Sequence, residues 1–203
     1  AIGEGEFFGI VGESGSGKSV TTKSILRLGP YNCKIMGGEI LFRGEDILKK
    51  NEAALREIRG GEIAMIFQDS LSALNPVYTV GNKMVELIRR HTNMNKKEAK
   101  ARVLELLTAV GITEPEKARN SYPHELSGGM RQRVMIAMAM SSDPKILIAD
   151  EPTTALDVTI QAQILHLLLE LQKKNNMSII LITHDLGGVA QTCKRVAVMC
   201  GGP

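Results

Sequence analysis

The octapeptide Gly12 to Ser19, GESGSGKS, constrains this chain more than any other feature, because it lies between an apolar run, Phe7 to Val11, and a helix-compatible stretch, Lys18 to Leu28. It fits G-x-x-x-x-G-K-[ST], a pattern that works only where a strand runs through a loop into a helix. Its glycines let successive backbone N–H groups turn inward around phosphate oxygens, and the helix N-terminus adds a partial positive charge. Gly12, Glu13, Ser14, Gly15, Ser16, Gly17, Lys18, Ser19 and Val20 are therefore the expected phosphate contacts. Lys18 would neutralise β- and γ-phosphates, and the Ser19 hydroxyl would hold Mg²⁺. A Gly-rich turn can match such a pattern by accident, so the rest of the chain has to supply the partners that the loop requires.

Short runs at Glu39 to Phe42, Ile63 to Phe67, Ile146 to Ala149, Ser178 to Thr183 and Arg195 to Met199 predict further strands. Several are apolar on both faces, as strands buried in a parallel sheet are. Between Pro76 and Ser141 the strand signal vanishes, and Val103, Leu104, Leu106, Leu107 and Val110 follow helical spacing up to a stopping Gly111. Asn95 with Glu98 three residues later forms a capping-box pattern ahead of that helix. The expected fold class is α/β, a mainly parallel sheet with a helical insert. With 43% hydrophobic residues the 203-residue chain can bury one substantial core. Residues 1–75 and 142–203 would form that core, and 76–141 the insert.

Charge and composition exclude several classes of function. Lys and Arg number 25 against 22 Asp and Glu, a net charge of +3, so no strong pull toward nucleic acid or anionic lipid arises. Tryptophan is absent and aromatics are only 3% of residues, which leaves no stacking platform for single strands, and no nucleic-acid partner is expected. Lys96, Lys97, Lys100 and Arg102 are interleaved with Glu98 and Glu105, the pattern of a solvated helix face. Cys33, Cys193 and Cys200 form no C-x-x-C pair, which fits a reducing, cytosolic setting. Apolar runs such as Val134 to Met140 fall far short of the roughly 20 residues needed to cross a bilayer, so a membrane role would require a partner.

The predicted strand Ile146 to Ala149 delivers Asp150 and Glu151 to its C-terminal end, where open α/β sheets bind ligands. Beside a phosphate loop, two adjacent carboxylates divide the labour: Asp150 serves Mg²⁺, and Glu151 acts as base for an attacking water. Leu126 to Met130, LSGGM, places a hydroxyl and two bare glycine amides at a helix start, which is anion-site chemistry and, in isolation, also an ordinary helix cap. Asp157 reads as an N-cap for a helix from Val158 to Lys174.

The phosphate loop, LSGG, Asp150-Glu151 and His184, in that order, resemble the nucleotide-binding domain of an ABC transporter over essentially all of the chain. The resemblance implies ATP with Mg²⁺ as cofactors and a P-loop ATPase core carrying an inserted helical signature subdomain. It also implies that Ser127, Gly128 and Gly129 contact the γ-phosphate bound by a second subunit. Gln68 resembles the Q-loop glutamine that senses Mg²⁺ and the attacking water, Asp157 the D-loop aspartate of the dimer interface, and His184 the switch histidine at the γ-phosphate. Three segments, FQDSLSALNPVYTVG from Phe67 to Gly81, SYPHELSGGMRQRVMIAMAM and ADEPTTALDVT, are similar to the oligopeptide, dipeptide and nickel importer group. Met130 stands where the broader family has Gln.

That likeness implies an ATPase subunit on the inner, cytoplasmic face of the membrane. Its partners would be a second ABC ATPase domain, identical or different, transmembrane permease subunits and an extracytoplasmic solute-binding protein. The family normally has an earlier segment with an adenine-stacking aromatic and further structure after the last strand, so the chain is expected to lack both ends. Two other readings share the same residues: a soluble ABC ATPase acting on DNA or ribosomes, and a binding module without turnover. Glu151 speaks against the second, because pure binding needs no water-activating base.

Overall fold

The computed structural model describes residues 1–29, 34–68, 74–154 and 156–200. Five strands, β1 (Phe7–Gly12), β4 (Ile63–Ile66), β5 (Ile146–Asp150), β6 (Ser178–Thr183) and β7 (Arg195–Met199), form one parallel sheet in the order β4-β5-β6-β1-β7. The expectation of a mainly parallel α/β sheet holds. β5 and β6 are almost wholly buried, which explains their unbroken apolar sequences. Successive side chains still alternate between faces. Leu147, Ala149, Ile179 and Leu181 join a large cluster that includes Ile164 and Leu168, while Ile148, Ile180 and Ile182 join Ile10, Leu26, Leu55 and Ile58 in a smaller one. Each fully buried aliphatic side chain contributes roughly 1.5–3 kcal/mol.

Helix α1 (Lys18–Ile25) follows β1 directly. It stops three residues before the expected Leu28, because Leu26 leaves helical geometry and Arg27 takes a left-handed φ of 51°. The segment Glu39 to Phe42 yields only β2 (Leu41–Phe42), which pairs antiparallel with β3 (Glu45–Asp46) outside the main sheet. The Arg43-Gly44 turn between them has φ 51° and 79°. Positive φ at both central residues is the signature of a tight hairpin turn, so this strand turns back instead of joining the sheet. α2 (Glu52–Ile58) leads into β4, which ends at Ile66, one residue before the predicted end.

Among the described residues between β4 and β5 lie the helices α3 (Val80–His91), α4 (Lys96–Ala109), α5 (Pro115–Asn120) and α6 (Gly128–Ala139). The capping box is present. Asn95 Oδ1 accepts from the N–H groups of Lys97 and Glu98 at 2.9 and 3.1 Å, and Glu98 Oε2 accepts from Asn95 N–H at 2.8 Å. α7 (Val158–Asn175) and α8 (Leu186–Thr192) complete the layer. Among the described residues no helix is long and apolar enough to cross a membrane. Cys193 and Cys200 are free thiols, and Cys33 lies outside the described residues.

Candidate functional site

Strand register converges the candidate residues. Ile66, Ala149, Leu181 and Gly9 lie in one row across β4, β5, β6 and β1. Gln68, Glu151 and His184 follow two or three residues beyond that row, and the phosphate loop begins at the matching end of β1. All therefore emerge at the carboxyl edge of the sheet, where such folds bind ligands.

β1 can approach β7 only because Gly12 lacks a side chain: a Cβ there would lie 2.1 Å from Met199 O. Gly17 closes the loop as N-cap of α1 in the left-handed region, φ 91°, which glycine adopts without strain. No side chain caps α1, so its first N–H groups face the loop without side-chain partners. Ser16 Oγ is buried with no hydrogen-bond partner among the described residues. Lys18 is 5% exposed, and its Nζ donates to Gly12 O at 2.8 Å and Glu13 O at 2.7 Å across the loop. Glu13, Ser14, Gly15 and Val20 are exposed on the rim. Free amides, an orphaned hydroxyl and a buried cation fit a phosphate group.

Ser19 Oγ donates to Asp150 Oδ1 at 2.8 Å. Burial pushes the Asp150 carboxyl above its ordinary value, against the Ser19 hydrogen bond and the charges of Lys23 and Lys18. The Ser19 hydroxyl and the Asp150 carboxylate present oxygen donors of the kind Mg²⁺ takes.

Glu151 sits at φ 47°, a left-handed backbone that costs a non-glycine residue about 1–2 kcal/mol. Its N–H is retained by Ile182 O at 2.9 Å. Oε2 accepts from Gln68 Nε2 at 2.8 Å and from Thr154 Oγ1 at 2.9 Å, while Oε1 lies 3.7 Å from His184 Nδ1. Glu151 is 15% exposed and His184 66%. Asp185, next to His184, caps α8 by accepting from Gly187 and Gly188 N–H groups, which anchors the segment.

The remaining candidates form a second group. Ser127 caps α6, its Oγ accepting from Met130 N–H at 3.3 Å, and Asp157 caps α7, accepting from Ile160 N–H at 2.9 Å. A Cβ on Gly128 or Gly129 would lie 3.3 Å from Leu156 or 3.0 Å from Ile160. The LSGG turn thus packs against the start of α7. Among the described residues no hydrogen bond joins Ser127, Gly128, Gly129 or Asp157 to the phosphate loop. A groove of about 830 Å³, lined by Arg43, Glu57, Arg90 and His91 among others, lies away from both groups.

Sequence reasoning did not single out Thr154. The available signal was a hydroxyl three residues after the glutamate in EPTT, close enough to fold back onto its carboxylate.

Comparisons with known proteins bear on the family. The dipeptide transport ATP-binding protein DppD of Bacillus subtilis is 56% identical over 200 residues, 98% of this chain and 60% of its own length. The oligopeptide transport ATP-binding protein OppD of the same organism is 56% identical over 202 residues, 99% of this chain and 56% of its own. The chain therefore spans less than two thirds of the curated relatives it matches. Among solved structures, the dimeric bacterial ABC transporter cassette MJ0796 superposes with a TM-score of 0.87 at 32% identity, covering 100% of this chain and 84% of that one. Its dimeric post-hydrolysis state bound to ADP and Pi gives 0.85 at 32% identity, over 98% and 83%. Residues 1–154 match the ABC transporter family itself. With that match over most of its length, an α/β P-loop fold shared with a solved cassette and relatives 56% identical over nearly all of it, this chain belongs to the ABC transporter family.

Proposed function

We propose that this chain is the ATP-hydrolysing part of a peptide importer, working as one of a pair of ATPase domains on the inner face of a membrane beneath a separate permease. The observation that carries the reading is the Glu151 carboxylate, held by Gln68 at the same sheet edge as Lys18, Ser19 and Asp150. Pure binding would not require a carboxylate at that point, since it repels phosphate.

The β- and γ-phosphates of ATP accept from the loop amides and from Ser16, and Lys18 Nζ turns from Gly12 O and Glu13 O to meet them. Ser19, Asp150 and Gln68 are the residues that would hold Mg²⁺, which supplies charge neutralisation of the phosphate oxygens when bound. Glu151 takes a proton from a water as the water oxygen bonds to the γ-phosphorus. The bond from that phosphorus to the bridging oxygen breaks, and its electron pair leaves with ADP. His184 contacts the γ-phosphate end.

Ser127, Gly128 and Gly129 of one domain then cover the γ-phosphate held by its partner, with Asp157 organising the contact. The MJ0796 dimer and the absence of hydrogen bonds, among the described residues, between LSGG and this chain's own loop support that arrangement. Residues 1–75 and 142–203 act as the ATPase core and 76–141 as the helical signature subdomain. The segment from Gln68 to Tyr78, of which 69–73 lie outside the described residues, carries motion to the permease, and Val77 and Tyr78 stand exposed there. Relatives named for dipeptide and oligopeptide transport favour peptides as cargo, delivered by an extracytoplasmic solute-binding protein, and lend no support to nickel or to the DNA or ribosome alternative.

The test is Lys18→Ala in the full-length protein. Losing a charge-assisted contact of about 1.5–3 kcal/mol should weaken ATP binding about 10- to 100-fold, measured by equilibrium titration. Unchanged affinity and turnover would remove the phosphate-loop assignment.

A further inference from the structure

We infer that Thr154 is a positioning residue that aims the Glu151 carboxylate, an inference that rests on the reading of Glu151 as the base. A base for hydrolysis must present one particular oxygen to a water, yet a glutamate side chain rotates about several bonds and this one stands on a left-handed backbone. Among the described residues both donors hold the same atom: Gln68 Nε2 at 2.8 Å and Thr154 Oγ1 at 2.9 Å both bond Oε2. Among the same residues Oε1 accepts no hydrogen bond, with His184 Nδ1 at 3.7 Å. One oxygen is thereby anchored and the other is available for the proton.

The two anchors differ in where they stand. Gln68 follows β4 on another part of the chain, so its bond to Glu151 changes whenever that segment moves. Thr154 belongs to the same turn as Glu151, closed by Thr154 N–H donating to Glu151 O at 3.2 Å, and travels with it. Thr154 therefore keeps the carboxylate aimed whatever position Gln68 adopts.

A packing role for Thr154 does not explain its place. Its neighbour Thr153 is buried, 8% exposed, and fills space. Thr154 is exposed, so its methyl group closes no cavity, and the hydroxyl is the part of it that touches the site. Its branched Cβ restricts χ1 and so holds the donor in place at low entropic cost.

The experiment uses the full-length chain assembled with its permease, measuring steady-state ATP hydrolysis, ATP binding and the unfolding midpoint. Thr154→Val should lower kcat about tenfold, the rate equivalent of one hydrogen bond to a charged group, with KM for ATP changed by less than about twofold. Thr154→Ser, which keeps the hydroxyl, should restore most of the rate. In a Glu151→Gln background the valine change should cost less than about twofold, because the carboxylate it aims is gone. Thr154→Ala serves in the same comparisons if the valine variant does not assemble.

Wild-type turnover in Thr154→Val, an equally slow Thr154→Ser, or an undiminished tenfold loss in the Glu151→Gln background overturns the inference. The outcomes separate the two readings. Wild-type hydrolysis by Glu151→Gln removes the base assignment and this inference with it. An inactive Glu151→Gln beside a fully active Thr154→Val removes this inference alone.

Discussion

The residues at the carboxyl edge of the sheet and the residues at the start of α6 are both polar clusters, yet they are built in opposite ways. At the sheet edge the side chains are engaged with each other: Ser19 with Asp150, Gln68 and Thr154 with Glu151, Lys18 with its own loop. At the LSGG turn, among the described residues, Ser127 bonds only the first turn of its own helix, and the glycines pack behind it onto Leu156 and Ile160. The first region is a site that one chain can preorganise. The second has no hydrogen bond to the phosphate loop among the described residues, which is why its proposed ligand is one held by another molecule.

The largest effect expected on that contrast comes from Glu151→Gln. A positioned general base is worth about 10² to 10⁴ in rate, so turnover should fall by that factor while ATP affinity stays equal or tightens through loss of a negative charge. Size-exclusion chromatography with Mg-ATP should show an accumulating dimer, and near-normal hydrolysis would break the assignment of the sheet edge as the catalytic half.

Ser127→Arg tests the other half. ATP binding by the separate subunit should stay within about twofold, while hydrolysis by the assembled pair falls at least about 100-fold, the range for losing donors at a reacting anion. Mixing this variant with Lys18→Ala should recover activity, because both defects fall in one composite site and leave the other intact. No recovery at any ratio would count against a site shared between chains.

The smallest effect lies on the structural side of β1. Arg195 Nε donates to Glu6 Oε1 at 2.6 Å and its Nη2 to Oε2 at 2.8 Å, tying β7 to the residue before β1, and this pair, with Gly3 N–H donating to Oε2 as the second cause, lowers the Glu6 carboxyl from its ordinary 4.5 to about 2. A lowered carboxylate pKa contributes stability above pH 4.5 that is lost as pH falls toward 2. Glu6→Gln should therefore cost about 1 kcal/mol or less at pH 7, since Arg195 is largely exposed, and a smaller amount near pH 2, where Glu6 is half protonated. Denaturant unfolding at the two pH values checks the sign, and a difference that does not shrink at pH 2 would mean that packing, not charge, ties β7 in place.

Much of this was legible from local pattern. The loop Gly12 to Ser19, the strands β5 and β6 and the capping box at Asn95 each follow from short-range rules that tertiary context did not override. The Leu41–Phe42 segment was legible only as a strand, because its departure from the main sheet depends on Arg43 adopting a positive φ, which composition does not announce. The helix from Lys18 was read too long for the same reason, its end being set by the left-handed Arg27.

By itself the sequence determined which chemistry is present: the phosphate loop, the adjacent carboxylates, the LSGG turn and the family they spell, since each is a contiguous string whose local geometry is dictated by its own residues. Tertiary structure alone decided which of these strings meet. Inserting β6 between β5 and β1 sets Asp150, Ile182 and Ile10 in one row, so residues more than a hundred positions apart share a site. The same packing folds the turn after β5 so that an exposed Thr154 reaches the Glu151 carboxylate. Strand order and turn conformation arise from burying both faces of the sheet at once, a condition on the whole chain that no short segment can encode.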